Sequence, residues 1–153
     1  MNRNRFKVGA ISALIVLASS LLVGLTTAPP ASAATYECSR ARTMSQPNTP
    51  AGRYVYMPYY PTAGGGYLYD CWMAKGSRSV GVQALQQAIN LCYNAVPNLA
   101  TDGIYGEATK AAVEVVQATH RIKADGEYGP NTRDAMIFPE YRTVDNGFSG
   151  TCR

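Results

Sequence analysis

The chain has 153 residues, with 14 Lys and Arg against 10 Asp and Glu, and a single histidine. Three of the basic residues lie within the first 33 positions, so the remainder carries 11 basic and 10 acidic residues, a net charge of +1. This balance lacks the concentrated positive field that nucleic-acid binding requires, and we expect no nucleic-acid partner. One histidine and the absence of a Cys-x-x-Cys pair argue against a metal site. We expect no cofactor.

Residues 1–33 have the pattern of a secretory signal peptide. Basic residues between Arg3 and Lys7 precede an apolar run at 8–25, and Ala31-Ser32-Ala33 offers a small-residue cleavage site. The run is marginal in length for a membrane span, and the cleavage site weighs against an uncleaved anchor. We therefore predict a secreted, extracellular protein without stable membrane association once the signal is removed.

All four cysteines lie in the predicted exported part, at Cys38, Cys71, Cys92 and Cys152. An even count in an oxidising compartment predicts two disulfides rather than metal ligands. Three connectivities are possible, and the sequence does not choose among them.

Residues 34–72 are rich in tyrosine, proline and glycine, and they show no helical apolar period. We predict an irregular arm, tethered by Cys38 and Cys71. A cluster of its aromatic residues consists of Tyr54, Tyr56, Tyr59, Tyr60, Tyr67, Tyr69 and Trp72. They are candidates for stacking on sugars, although in a loop-rich segment such rings more often form the local core, and we favour that interpretation.

Helical periodicity begins at residue 80, where Val82, Leu85, Ala88, Ile89 and Cys92 recur at spacings of three and four. This pattern predicts a first helix that ends near Tyr93, before the break at Pro97.

The motif Asp-Gly-x-Tyr-Gly-x-x-Thr then occurs twice, at residues 102–109 and 125–132. Asp-Gly is a turn signal, and in each copy the second glycine precedes a helix start. We predict helices at 107–120 and 130–138, the latter with Pro130 at its first position. Residues 73–138 then form a small three-helix bundle, followed by a tail at 139–153 that contains Cys152. The predicted fold class is all-α.

The aspartates and tyrosines of the two turns are the candidate ligand-binding residues: Asp102, Tyr105, Asp125 and Tyr128. We favour turn chemistry and packing as their main role, because patterned turn residues usually serve the backbone. Free N–H groups at the helix starts beside these tyrosines nevertheless suit a carboxylate and a sugar face.

Together, Val82-Gln83-Ala84-Leu85-Gln86, Asp102-Gly103-Ile104-Tyr105-Gly106 with Thr109, and Asp125-Gly126 with Tyr128-Gly129-Pro130 and Thr132 closely resemble the peptidoglycan-binding domain family of three-helix modules. The resemblance covers about residues 76–138. Cys92, Val116 and Arg121 depart from the family's usual residues, which are a glycine, an aromatic and a glycine. The resemblance implies noncovalent binding to bacterial peptidoglycan and a place at the cell wall.

The residue inventory argues against an enzyme. We expect the only histidine, His120, to interact with exposed carbonyls at the end of the second helix rather than to act as a base. A carboxylate pair of the glycosidase type is harder to exclude, but Asp102 and Asp125 are already explained by their turns. We predict a monomeric, noncatalytic wall-binding protein. The alternative is a secreted protein-protein interaction module, or an inhibitor or adaptor of a wall-modifying enzyme, on the same scaffold.

Overall fold

The computed structural model describes residues 36–45 and 49–153. The predicted signal peptide, residues 1–33, lies outside the described residues. Within the described ranges, no helix is long and apolar enough to cross a membrane.

Along the described residues, five strands come first, three helices follow, and two strands come last. The strands are β1 (Tyr36–Glu37), β2 (Arg40–Met44), β3 (Arg53–Pro61), β4 (Tyr67–Leu68), β5 (Cys71–Trp72), β6 (Pro139–Arg142) and β7 (Phe148–Cys152). The helices are α1 (Val80–Cys92), α2 (Glu107–Thr119) and α3 (Pro130–Ala135).

The strands form two sheets. In the larger one the order is β2-β3-β6-β7, with β4 also paired to β3, and every pairing is antiparallel. Strands β1 and β5 form a separate parallel pair in which Tyr36 lies opposite Cys71. The larger sheet therefore joins the predicted arm to the predicted tail.

The prediction of an all-α three-helix bundle is wrong, because the described residues contain about as much helix as strand, about 28% and 29%. The segment predicted as an irregular arm contains β3. Along this strand Val55 and Met57 are buried in the core, whereas Tyr54 and Tyr56 are only half-buried. This is the two-residue alternation of a sheet with one face on the core, and tyrosine suits such a strand.

Pro58 does not interrupt β3 because no strand pairs with it on one side. Strand β6 pairs with residues 53–55 and β4 with residues 60–61, so Pro58 is opposed only by Ala41 of β2. A residue that lacks an N–H group is tolerated where one side of the strand has no partner.

Helix α1 packs across β3 and carries much of the core. Ser79 caps the helix by accepting a hydrogen bond from Val82 N at 3.2 Å, and its hydroxyl donates to Cys38 O at 2.9 Å. A Cβ atom at Gly81 would lie 2.8 Å from Cys38 O, so the glycine permits close approach of the two segments. The start of α1 is therefore fixed against the strand-rich N-terminal part.

One disulfide joins two segments of the strand-rich N-terminal part, and the other joins helix α1 to strand β7. Cys38 pairs with Cys71, and Cys92 at the end of α1 pairs with Cys152 at the end of β7. This is the connectivity that the sequence left open among three.

Candidate functional site

The first Asp-Gly turn is held by a buried glutamine of α1. Gln86 is 2% exposed, and its Nε2 group lies 3.0 Å from Asp102 Oδ1, 3.0 Å from Ile104 O and 3.2 Å from Thr109 Oγ1. Its Oε1 atom accepts a hydrogen bond from Gly103 N at 2.9 Å. One side chain therefore connects α1, the turn and the first residues of α2.

The second turn repeats this arrangement, with Gln117 of α2 in place of Gln86. Gln117 is 1% exposed, and Nε2 contacts Asp125 Oδ1 at 2.8 Å, Glu127 O at 2.9 Å and Thr132 Oγ1 at 2.9 Å. Gly126 N donates to Gln117 Oε1 at 2.9 Å. In both copies a helix supplies a glutamine to the turn that starts the next helix.

The glycine that follows each aspartate has the backbone conformation that the turn requires. Gly103 has φ +74° and Gly126 has φ +72°, in the left-handed region. A Cβ atom at Gly103 would lie 2.9 Å from the carbonyl oxygen of Ser79, so an alanine there would be both strained and crowded.

The two candidate tyrosines lie in the core. Tyr105 is 1% exposed, and its hydroxyl donates to Gly126 O at 3.0 Å, which links the first turn to the second. Tyr128 is fully buried, and its backbone N–H and C=O pair with Met73. Burial raises the pKa of both phenols. This geometry matches the packing role that we favoured, and neither ring presents a face to solvent.

The two candidate aspartates are partly or wholly accessible and carry lowered pKa values. The hydrogen bond from Gln86, followed by that from Ile104 N, lowers the pKa of Asp102 from its ordinary value. At Asp125 burial raises the pKa, but the hydrogen bonds from Gln117 and Glu127 N, with Lys123 nearby, outweigh it and the net pKa is lowered. Both carboxylates are therefore held in the ionised form in the folded protein.

Acid should weaken the folded state through these two turns. A carboxyl group whose folded pKa is depressed stabilises the fold above its unfolded pKa, and this contribution is lost as the pH falls through the folded value. We expect the urea midpoint of unfolding to fall between pH 5 and pH 2. The double variant Asp102→Asn, Asp125→Asn keeps the turn acceptors and should show a shallower decline. An identical decline in the double variant would contradict the assignment. Glu107 and Asp145 also have lowered pKa values, so we expect part of the fall in the urea midpoint to remain in the double variant.

His120 lies at the end of α2, as predicted, but its side chain contacts Tyr93 rather than exposed carbonyls. Its Nε2 atom lies 2.9 Å from the hydroxyl oxygen of Tyr93, which also accepts a hydrogen bond from Ile137 N at 2.7 Å. Burial raises the pKa of Tyr93 to about 12. The histidine therefore joins the end of α2 to the end of α1, and Tyr93 in turn joins α1 to the segment after α3.

An open cleft of about 830 Å³ lies where the tyrosine-rich strands face α3. It is lined by residues 67–70 and 133–137, with Met44, Met57 and Arg153. Its volume falls within the range of about 300–1,000 Å³ common for ligand sites. No local pattern in the sequence indicates this cleft, because its two walls come from segments that are more than 60 residues apart. Elsewhere, the described residues contain no group of three or more His, Cys, Asp or Glu side chains arranged to hold a metal ion.

The profile of the family described as "Putative peptidoglycan binding domain" matches residues 78–136. This segment belongs to that family. The match begins just before α1 and ends after α3, so the peptidoglycan-binding domain contains both turns and both buried glutamines, whereas β1–β5 and β6–β7 lie outside it.

Two curated relatives come from Bacillus licheniformis. A "Probable N-acetylmuramoyl-L-alanine amidase" is 38% identical over 68 residues, which is 44% of this chain and 19% of the relative. The N-acetylmuramoyl-L-alanine amidase CwlL is 35% identical over 78 residues, which is 48% of this chain and 21% of the relative. The chain therefore matches about a fifth of the length of these relatives.

Among solved structures, a peptidoglycan-binding protein from Clostridioides difficile in complex with glutamine hydroxamate is 28% identical. The match covers 61% of this chain and 56% of that chain, with a TM-score of 0.41.

Proposed function

We propose that this chain is a secreted, noncatalytic protein that binds bacterial cell-wall peptidoglycan. The observation that carries the proposal is the match of residues 78–136 to the peptidoglycan-binding domain family. The complete double-turn framework inside that segment supports it. Secretion is supported by the signal-like residues 1–33 and by two disulfides, which form and persist in oxidising compartments.

The noncatalytic part of the proposal rests on what the amidase relatives share with this chain. The similarity covers about a fifth of each amidase, and the family model that matches this chain describes a binding domain. The lowered pKa values of Asp102 and Asp125 fit turn formation, whereas a general acid requires a raised pKa.

Within the domain, the surface formed by the two adjacent turns is our candidate for ligand contact. Asp102 and Ile104 are exposed on the first turn, and Asp125 and Glu127 lie at the surface of the second. Tyr105 and Tyr128 support this surface from below, since the Tyr105 hydroxyl joins one turn to the backbone of the other. In this proposal the aspartates and exposed backbone meet the ligand, and the tyrosines position them.

Pelleting with insoluble peptidoglycan sacculi tests the function. The chain would be expressed in a bacterial host with its own N-terminal segment, and the disulfide-intact protein recovered from the medium would be mixed with purified sacculi. We expect saturable pelleting that prior digestion of the sacculi with a muramidase abolishes. N-terminal sequencing of the secreted product should begin at Ala34. A protein that stays in the supernatant would contradict wall binding, and release of soluble fragments from the sacculi would contradict a noncatalytic role.

An interaction module for a protein such as a wall-modifying enzyme is the second candidate, and two exposed aromatic residues favour it. Tyr36 and Trp72 are 44% and 37% exposed and belong to the paired strands β1 and β5. Tyrosine and tryptophan are enriched at interface hot spots. Binding to a purified wall enzyme that Tyr36→Ala and Trp72→Ala weaken, without any pelleting on sacculi, would favour this function over the first.

A further inference from the structure

The cleft between the tyrosine-rich strands and α3 offers a fixed aromatic face. Tyr67 is 47% exposed and lines the cleft. The guanidinium of Arg42 lies 3.7 Å from its ring centroid, and the rings of Tyr69 and Tyr59 approach edge-on or nearly so at 5.5 and 6.3 Å. Arg42 covers one face of the Tyr67 ring, so a ligand that stacks on this ring must use the opposite face. A ring held in this way loses little conformational freedom when a ligand stacks on it.

Hydrogen-bonding groups stand on both walls of the same cleft, with Asp70 on the wall of Tyr67 and with Arg133 and Asp134 on the other. Arg133 is 15% exposed, and its guanidinium lies 2.5 Å from Asp70 Oδ1 and 2.7 Å from Asp134 Oδ1. Asp70 and Asp134 are themselves 74% and 67% exposed. Each carboxylate uses one oxygen for Arg133, so the second oxygen is available to accept hydrogen bonds from hydroxyl groups.

The charges that line the cleft balance one another. The lining carries two carboxylates, of Asp70 and Asp134, and two guanidiniums, of Arg133 and Arg153; Arg133 is paired with both aspartates and Arg153 with the buried Glu140. A pocket with no net charge supplies no field that would select an anion or a cation. The lining therefore suits a neutral ligand that has a ring face to stack and several hydroxyl or amide groups to hydrogen-bond.

A pyranose unit has this combination, because its C–H face is apolar and weakly positive while its edge carries hydroxyl groups. The electron-rich face of an aromatic ring attracts such C–H groups. The methionines Met44, Met57 and Met136 add an adaptable apolar floor.

We propose that this cleft binds a saccharide, the neutral N-acetylated amino-sugar backbone of the wall glycan, with Tyr67 as the stacking platform and Asp70 and Asp134 as acceptors. The proposal rests on the proposed wall-binding function and extends it, since Tyr67 and Asp70 lie outside residues 78–136. The strand-rich part of the chain then contributes a sugar site that the family domain alone does not contain.

Methionine methyl NMR tests this directly, with chitotetraose, a neutral oligomer of N-acetylglucosamine, as the probe. Three methionines line the cleft, whereas Met73 is fully buried and is not part of the lining, so it serves as an internal reference. We expect saturable shifts for Met44, Met57 and Met136 and none for Met73. The variant Tyr67→Ala should weaken the apparent affinity about tenfold. Tyr36→Ala removes an equally exposed tyrosine outside the lining and should leave the affinity unchanged.

Thermal unfolding of both variants would show that they are folded, and sacculus pelleting of the same proteins separates the two proposals. Pelleting without any methyl shift would overturn the saccharide cleft and leave wall binding intact. Methyl shifts without pelleting would support the cleft and overturn wall binding. Shifts that persist unchanged in Tyr67→Ala would overturn the assignment of the cleft, whatever the pelleting result.

Discussion

Replacing Gln86 with alanine should lower the free energy of unfolding by about 3 kcal/mol or more. The side chain is buried and connects four polar groups: the Asp102 carboxylate, the N–H of Gly103, the carbonyl of Ile104 and the hydroxyl of Thr109. Alanine leaves the buried Gly103 N–H without its acceptor and opens a cavity at the base of the turn. Each of these effects typically costs about 1–3 kcal/mol.

Gln87→Ala is the matched control, since this glutamine is adjacent on α1 but exposed. Its effect should stay within about 0.5 kcal/mol, as is usual for surface positions. Gln117→Ala should match Gln86→Ala in size, because Gln117 makes the same set of contacts in the second turn. Chemical denaturation of the four proteins at pH 7 gives the comparison. Equal stabilities for Gln86→Ala and Gln87→Ala would show that the first turn is stable without Gln86.

The parts of the fold with local signals could be predicted from the sequence. Helices α1 and α2 lie within two residues of the predicted bounds, because apolar periodicity and the Asp-Gly turns depend only on near neighbours in the chain. Helix α3 ends at Ala135 rather than near Phe138. Met136 already has an extended backbone, with φ −79° and ψ 155°, and the chain then enters β6.

The sheet could not be predicted in the same way, since its pairings are nonlocal. Strand β3 pairs Arg53 with Arg142 and Val55 with Glu140, across more than 80 residues of sequence. Half-buried tyrosines occupy consecutive positions at Tyr59 and Tyr60 as well as the alternating positions Tyr54 and Tyr56, so the two-residue alternation is hidden in the sequence. Pro58 also indicates a break in a strand. The sequence therefore predicts an irregular arm where the structure has β3.

The candidate site shows the same division between local and nonlocal signals. The threonine of each turn lies seven residues after its aspartate in both copies, so the repeat is visible in the sequence. The glutamines lie 16 residues before Asp102 and eight before Asp125, and this unequal spacing hides their common role. The cleft depends on contact between the strands and α3 and left no pattern in the chain.

Removing either disulfide should have an effect of similar size to that of the buried glutamines. Cys92 and Cys152 are 60 residues apart, and Cys38 and Cys71 are 33 apart. Each bond closes a loop and so lowers the entropy of the unfolded chain. For loops of these lengths, this entropy loss stabilises the folded state by about 4 kcal/mol for each bond. Domains of this size are usually stable by about 5–15 kcal/mol in total, so reduction of both bonds removes most of that margin.

The double variants Cys92→Ala, Cys152→Ala and Cys38→Ala, Cys71→Ala separate the two contributions in urea unfolding. The second pair should cost more than the first although its loop is shorter, because both of its cysteines are fully buried and alanine leaves a cavity beside the core. The untreated and reduced wild-type proteins bracket the series, and the reduced protein should also lose pelleting on sacculi. If each pair instead cost less than about 1 kcal/mol, helix-sheet packing alone would hold the fold. The protein would then fold equally well in a reducing compartment, and the disulfides would no longer support the proposed secretion.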